Sequence, residues 1–154
     1  IILGLNYNHN YIVDDKGHKI HKKVNEILKN SIKDLISKFI ENGKNVILLG
    51  PLSEPGYNFP LDYARILYLK KNINLPVSNK KNIFEELNKE FLDFSEVKSE
   101  HFYHNLPHKI LCNDSECSFI LKNESFFADS NHLSKFGSLA MKDMILNSIL
   151  LLKK

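Results

Sequence analysis

The sequence predicts an α/β domain built on a parallel sheet, and three features between Ile1 and Pro60 predict it. Ile1–Leu5 is a continuous apolar run followed by the polar loop Asn6–Asn10, the pattern of a strand buried on both faces. Ile20, Val24, Ile27, Leu28, Leu35, Ile36, Phe39 and Ile40 then recur at helical spacing, with Gly43 where a C-terminal cap belongs. Asn45–Gly50 (NVILLG) is a second apolar run, stopped by Pro51. Strand, long helix and strand make a crossover unit, which joins parallel strands.

The loop Pro51–Pro60 (PLSEPGYNFP) is rich in turn formers and leaves the carboxyl end of a strand, where open α/β folds place their ligand crevice. Leu61–Lys71 reads as a short helix. Asn79–Phe94 reads as another, with Ile83, Phe84, Leu87, Phe91 and Leu92 on one face. His101–Leu111 is a short strand or an extended segment. Cys112–Asn123 reads as a turn and a strand at Phe119–Leu121, with Ser125–Phe127 placed to pair with it. The last helix is expected from about Leu133 to Leu152, with Ser134 as its N-cap. There is no internal repeat, linker or low-complexity stretch, so residues 1–154 are expected to be a single domain.

Bulk composition narrows the function classes. Apolar residues at 43% and charged residues at 25% are ordinary for a globular domain. The net charge of +3 comes from scattered lysines without a basic block, which argues against a nucleic-acid surface. The longest apolar run near either end, Ile149–Leu152, is far short of the roughly 20 residues a membrane helix needs. No signal peptide is visible. The sequence opens at Ile1, not Met, and already inside a strand, so further residues are expected upstream. The two cysteines, Cys112 and Cys117, suit either a local disulfide in an oxidising compartment or two free thiols in the cytosol.

Asp129 and His132 lie three apart in a short loop that opens the final helix. A basic histidine needs one ring nitrogen held by an acceptor so that the other can take a proton from a nucleophile. A carboxylate from the same loop can supply that acceptor. Asp-x-x-His pairs are common, however, and a turn cap beside a solvated histidine is the plainer reading of the bare spacing.

The surrounding strings change that reading. Phe127–Gly137 (FADSNHLSKFG) resembles the last conserved block of the SGNH (GDSL-like) hydrolase superfamily. It matches the form (Y/F)-x-D-x-x-H-L-S-x-x-G found in SGNH domains fused to, or working with, integral-membrane acyltransferases of bacteria. Phe127, Asp129, His132, Leu133, Ser134 and Gly137 fit it. Cys112-x4-Cys117 is similar to the small disulfide-closed turn that these domains often carry just before this block. Asn45–Arg65 resembles their V-x-x-G-P-x-P-E-P-G-x-x-x-P segment at Pro51, Glu54, Pro55, Gly56 and Pro60, with Ser53 where a proline is common.

The resemblance implies a three-layer α/β/α, flavodoxin-like parallel sheet. It makes His132 the general base and Asp129 its orienting carboxylate, with structural roles for Ser134 and Gly137 at the helix start. The family's nucleophilic serine sits in a G-D-S turn after the first strand, and this sequence has no such string. Ser53, Ser130 and Ser134 are the nearest serines by location, and none sits in a nucleophile turn. First strand and nucleophile are therefore expected upstream of Ile1, in a domain truncated at its N-terminus. Gly4-x-Asn6 superficially resembles a further block whose Asn donates to the oxyanion, although Tyr7 stands in place of its Asp; Asn6 is thus an oxyanion-hole candidate or a simple loop residue. Tyr57 and Phe59 are candidates for a substrate loop.

The implied activity is acyl transfer to, or ester hydrolysis on, a cell-envelope polysaccharide, with acetyl the expected acyl group. No cofactor or metal is expected, and no nucleic acid. The expected partners are the polysaccharide or acyl-ester substrate and a membrane acyltransferase domain in the same or a partner protein. The expected location is extracytoplasmic, periplasmic or at the cell surface. Two rivals remain. His101, His104, His108, Cys112 and Cys117 cluster in sequence, but the Cys spacing is at the loose end for zinc. A non-catalytic carbohydrate-binding module would instead use Tyr57, Phe59 and Tyr63 to stack on sugar rings. The upstream coding sequence separates enzyme from module: a G-D-S string about one βα unit before Ile1 supports the enzyme, and its absence supports the module.

Overall fold

The computed structural model describes residues 1–4, 12–13, 19–20, 24–69 and 76–153. In chain order the first elements are β1 (Ile2–Gly4), β2 (Ile12–Val13), β3 (Lys19–Ile20), α1 (Val24–Glu41), β4 (Val46–Leu49) and α2 (Phe59–Leu69). Next come β5 (Ser78–Lys80), α3 (Lys81–Leu92), β6 (Phe102–Asn105), α4 (His108–Leu111) and β7 (Glu116–Ser118). The chain ends with β8 (Ile120–Leu121), β9 (Glu124–Ser125), α5 (Lys135–Ala140) and α6 (Lys142–Leu151). The fold is α/β with a parallel sheet, and its contacts divide into two compact units.

The first unit comprises Ile1–Pro51, Asn88–Leu106 and Asn147–Lys154. Its sheet has the order β1-β4-β6, all parallel, with Ile47 opposite Ile2 on one side and Tyr103 on the other. The strand–helix–strand reading of the N-terminal region is therefore realised as β1, α1 and β4. From α1, Ile32 and Ile36 pack with Val46, Leu48, Phe91 and Phe94, flanked by the partly buried Leu28, Phe39 and Ile40. The helix stops as its sequence demands. Gly43 takes the left-handed conformation (φ +69°), donates to Ile40 O at 2.8 Å, and lets Lys44 N reach Phe39 O at 3.0 Å, the two bonds of a Schellman cap.

Some expectations need correction. Ile20 belongs not to the helix but to β3, paired antiparallel with β2. Ile27 and Leu35 are exposed, so the buried stripe of α1 is narrower than the apolar pattern suggested. Ile2 is half exposed, because β1 has β4 on one side and no second neighbour among the described strands; burial on both faces does not hold there.

The second unit comprises Leu52–Leu87 and Pro107–Leu146. Its centre is aromatic. Phe59 stacks on Tyr63 at 5.4 Å and meets Phe119 edge-on, Phe119 meets Phe127, and Phe127 meets Phe126. Leu111 and Met141 complete the buried set. Residues 101–111, which read as a short strand or an extended segment, form both β6 and the short helix α4. The hairpin β8–β9 turns through Lys122 and Asn123, both at positive φ, as a two-residue type I′ turn requires. The final helix is split at Met141 into α5 and α6 rather than continuous.

Cys112 and Cys117 form a disulfide that ties the end of α4 to β7. Strand β7 in turn pairs antiparallel with β5, placing Asn79 opposite Cys117. A bridge across so short a loop removes enough unfolded-chain entropy for about 2 kcal/mol of stability. Replacing both cysteines by Ser is expected to lower the urea-unfolding free energy by about that amount; an unchanged midpoint and slope would contradict it.

Candidate functional site

The loop that carries Asp129 and His132 is closed at its base by backbone pairing. Phe127 and Leu133 form an antiparallel bridge, Ala128 N donates to His132 O at 2.7 Å, and Ser134 N donates to Phe126 O at 3.0 Å. Because Phe126 and Phe127 are wholly buried, the loop springs from the rigid core of the unit. Ser134 then starts α5. Its hydroxyl accepts from Gly137 N at 2.9 Å and donates to Ser125 O at 2.8 Å, the N-cap role read from the sequence. Gly137 is required for a different reason: a Cβ there would sit 2.1 Å from Phe126 O, so the helix start fits against the loop only without a side chain.

Within the loop, Asp129 uses both carboxylate oxygens. Oδ1 accepts from the backbone of Asn131 at 3.0 Å and of His132 at 2.8 Å, and Oδ2 pairs with His132 Nδ1 at 2.8 Å. With a carboxylate at Nδ1, the neutral ring carries its proton there, which leaves Nε2 as the basic nitrogen. The imidazole is 77% exposed, so solvent or a substrate can reach it. The amides of Asn131 and His132, then the His132 ring, hold the Asp129 carboxyl down to a pKa of about 2. Asp129 is therefore ionised wherever a histidine can act as a base.

The loop also has a neighbour. Gly56, at φ +73°, donates its amide to Ser130 O at 3.2 Å, joining the turn-rich segment after Pro51 to the Asp129–His132 loop. The same segment is anchored by Asn79, whose Nδ2 donates to Ser53 Oγ at 3.1 Å and to Glu54 O at 3.0 Å. Neither link has a sequence signature; each appears only once the strands are paired.

The other predicted positions are distributed as follows. Asn6 lies outside the described residues. Tyr57 donates its hydroxyl to Pro76 O, and burial, followed by the charge of Asp62, raises its pKa. Phe59 is fully buried between Tyr63 and Phe119, so its place in a substrate loop is withdrawn: the ring has no free face for a sugar. The three nearest serines have hydroxyls engaged in local structure: Ser53 with Asn79, Ser130 with Asn131 Oδ1, and Ser134 as the cap. Among the sequence-clustered metal candidates, the cysteines are bonded to each other and His101 Nδ1 lies 2.8 Å from Asn45 Oδ1. His108 is buried against Phe84, and that burial lowers its pKa. Among the described residues no three His, Cys, Asp or Glu side chains converge on a metal site.

A family model described as "SGNH domain (fused to AT3 domains)" matches residues 2–147. Among solved structures, the chain resembles the periplasmic domain of a lipopolysaccharide acetyltransferase from Salmonella ser. Paratyphi A. The TM-score is 0.60 at 21% identity, over 84% of this chain and 51% of that one, a likeness of fold. This chain thus spans about half the length of that structure. No curated protein matches.

The depressed pKa of Asp129 has a signed consequence. Its folded value, about 2, lies below the unfolded value of about 4. Its contribution to loop stability is therefore complete above pH ~4 and lost as pH falls through about 2. Carboxyl-carbon NMR is expected to show Asp129 titrating near 2, with the Asn131 and His132 amides shifting in step; titration near 4 would contradict the pairing.

Proposed function

This chain belongs to the family of SGNH domains that are fused to AT3 domains, and from that membership we propose that it carries the base and its orienting carboxylate for acyl transfer. The observation that carries the proposal is the Asp129–His132 pair, aligned at 2.8 Å on a loop whose other carboxylate oxygen is pinned by two backbone amides. In this reading His132 Nε2 removes the proton from a serine hydroxyl as the serine oxygen attacks an acyl carbonyl. Collapse of the tetrahedral intermediate breaks the bond to the leaving group, which takes the proton from the imidazolium. An incoming hydroxyl then gives its proton to His132 and attacks the acyl-serine ester; collapse of this second intermediate breaks the bond to the serine oxygen, which takes the proton back from the imidazolium. Throughout, the ionised Asp129 stabilises the imidazolium.

The proposal assigns the nucleophile to a serine outside residues 1–154, since the G-D-S turn of the family has no counterpart within them. We take the acyl group to be acetyl and the acceptor to be a hydroxyl of a cell-envelope polysaccharide, with water as acceptor giving an esterase. The acyl donor would be relayed by a membrane acyltransferase domain in the same or a partner protein. An extracytoplasmic location is supported by the Cys112–Cys117 disulfide and by the periplasmic origin of the structural neighbour. Among the described residues no helix is long and apolar enough to cross a membrane.

The absence of a G-D-S string favours one alternative, a carbohydrate-binding module on the same fold. Against it, Phe59 is wholly buried and one face of Tyr63 is covered by it, which leaves Tyr57 as the one ring of the three not stacked in that pair. Activity of the complete gene product separates the two. His132→Ala is expected to lower kcat for p-nitrophenyl acetate by about 10²–10⁴-fold, with Asp129→Asn falling in the same range. Turnover unaffected by His132→Ala would overturn the assignment.

A further inference from the structure

We propose that Asn79 is a positioning residue for His132, acting through the segment Ser53–Gly56, a role that rests on the acyl-transfer reading. A continuous run of contacts connects the two. Strand β5 is fixed against β7 by the ladder Ser78–Lys80 on Ser118–Glu116, extended by Phe119 N to Val77 O at 2.8 Å and Lys81 N to Ser115 O at 3.0 Å. Asn79 stands opposite Cys117 in that ladder, and Cys117 is buried and disulfide-bonded to Cys112. From this firm base the Asn79 amide group donates to Ser53 Oγ and Glu54 O. Ser53 is itself 1% exposed, so its hydroxyl depends on a protein partner rather than water.

Three residues further along, Gly56 N holds Ser130 O, and Ser130 is the residue between Asp129 and the Asn131 amide that Asp129 accepts. The path therefore runs from a cross-linked strand through one side-chain amide to the backbone of the catalytic loop. Gly56 suits that place because its left-handed conformation turns the chain and a Cβ there would meet nothing within 4 Å, so the requirement is conformational, not steric. His132 is highly exposed and carried on a loop, so its own contacts leave its position to the loop's anchorage. Backbone pairing at its base supplies part of that anchorage, and Asn79 adds a further anchor from outside the loop.

The test uses Asn79→Asp in the complete gene product. This change keeps the side chain's shape and removes the N–H donors, leaving a carboxylate against Glu54 O. Since small displacements of a reacting group cost up to about a hundredfold, kcat for p-nitrophenyl acetate is expected to fall about tenfold or more, with KM within about twofold. Hydrogen exchange read by mass spectrometry should accelerate over residues 127–134 and stay unchanged over residues 115–119. Unchanged exchange over 127–134, or acceleration of both segments together, would overturn the proposal, as would an unaltered kcat. If the Asp variant does not fold, Ser53→Ala removes one of the two acceptors and decides by the same readouts, with smaller changes in the same direction. Absence of ester turnover in the unmodified protein would overturn the acyl-transfer reading, and the exchange comparison would still decide whether Asn79 holds the loop.

Discussion

The Asp129 carboxylate is the constraint from which the candidate site follows. One oxygen accepts two backbone amides, and the other orients an exposed imidazole. An exposed carboxylate–histidine pair on its own is worth little, because water screens the charges and two mobile side chains must be ordered. The amides change that balance. They hold the carboxylate in one orientation before the histidine is considered, so the ring is aligned by a preformed acceptor and not by charge attraction alone. The same bonds keep Asp129 ionised, which a carboxylate that stabilises an imidazolium requires.

That preformed loop depends in turn on close packing beneath it. Phe126 presents its carbonyl to Ser134 N while its ring sits in the aromatic core, and Gly137 approaches the same carbonyl too closely for any side chain. Ser134 serves both sides of this junction, capping α5 and bonding back to Ser125 O. The string F-A-D-S-N-H-L-S-K-F-G therefore records a packing problem as much as a chemical one. Two of its positions are the proposed base and its orienter, and Phe127, Ser134 and Gly137 supply the buried anchor, the cap and the close approach that hold them.

How much of this was legible in the sequence depended on the range of the interaction. Local periodicity revealed α1 and β4, and Gly43 marked the helix end, because those signals repeat within a few residues. Ile20 fits the helical period of α1 but lies in β3, because a two-residue strand has no period of its own to read. Ile27 and Leu35 fit a helical stripe yet lie exposed, because being apolar does not ensure burial. Strands β5 and β7 are short and mostly polar, so the ladder that supports Asn79 left no pattern. At the site, the spacing of Asp129 and His132 was ambiguous, and the residues around them made it specific. The links from Asn79 to Ser53 and from Gly56 to Ser130 join segments remote in sequence, and only the folded chain brings them together. Phe59 shows the reverse failure: a loop aromatic that reads as a sugar platform is the centre of a core.

Covalent labelling tests the central claim, that Asp129 and His132 serve a serine in acyl transfer, most directly. The complete gene product would be treated with a fluorophosphonate and the adduct mapped by mass spectrometry, in the natural protein and in His132→Ala. The account predicts one labelled serine in the natural protein, outside residues 1–154, with labelling lost when His132 is replaced. No adduct in the natural protein, or an adduct formed equally well without the imidazole, would contradict it.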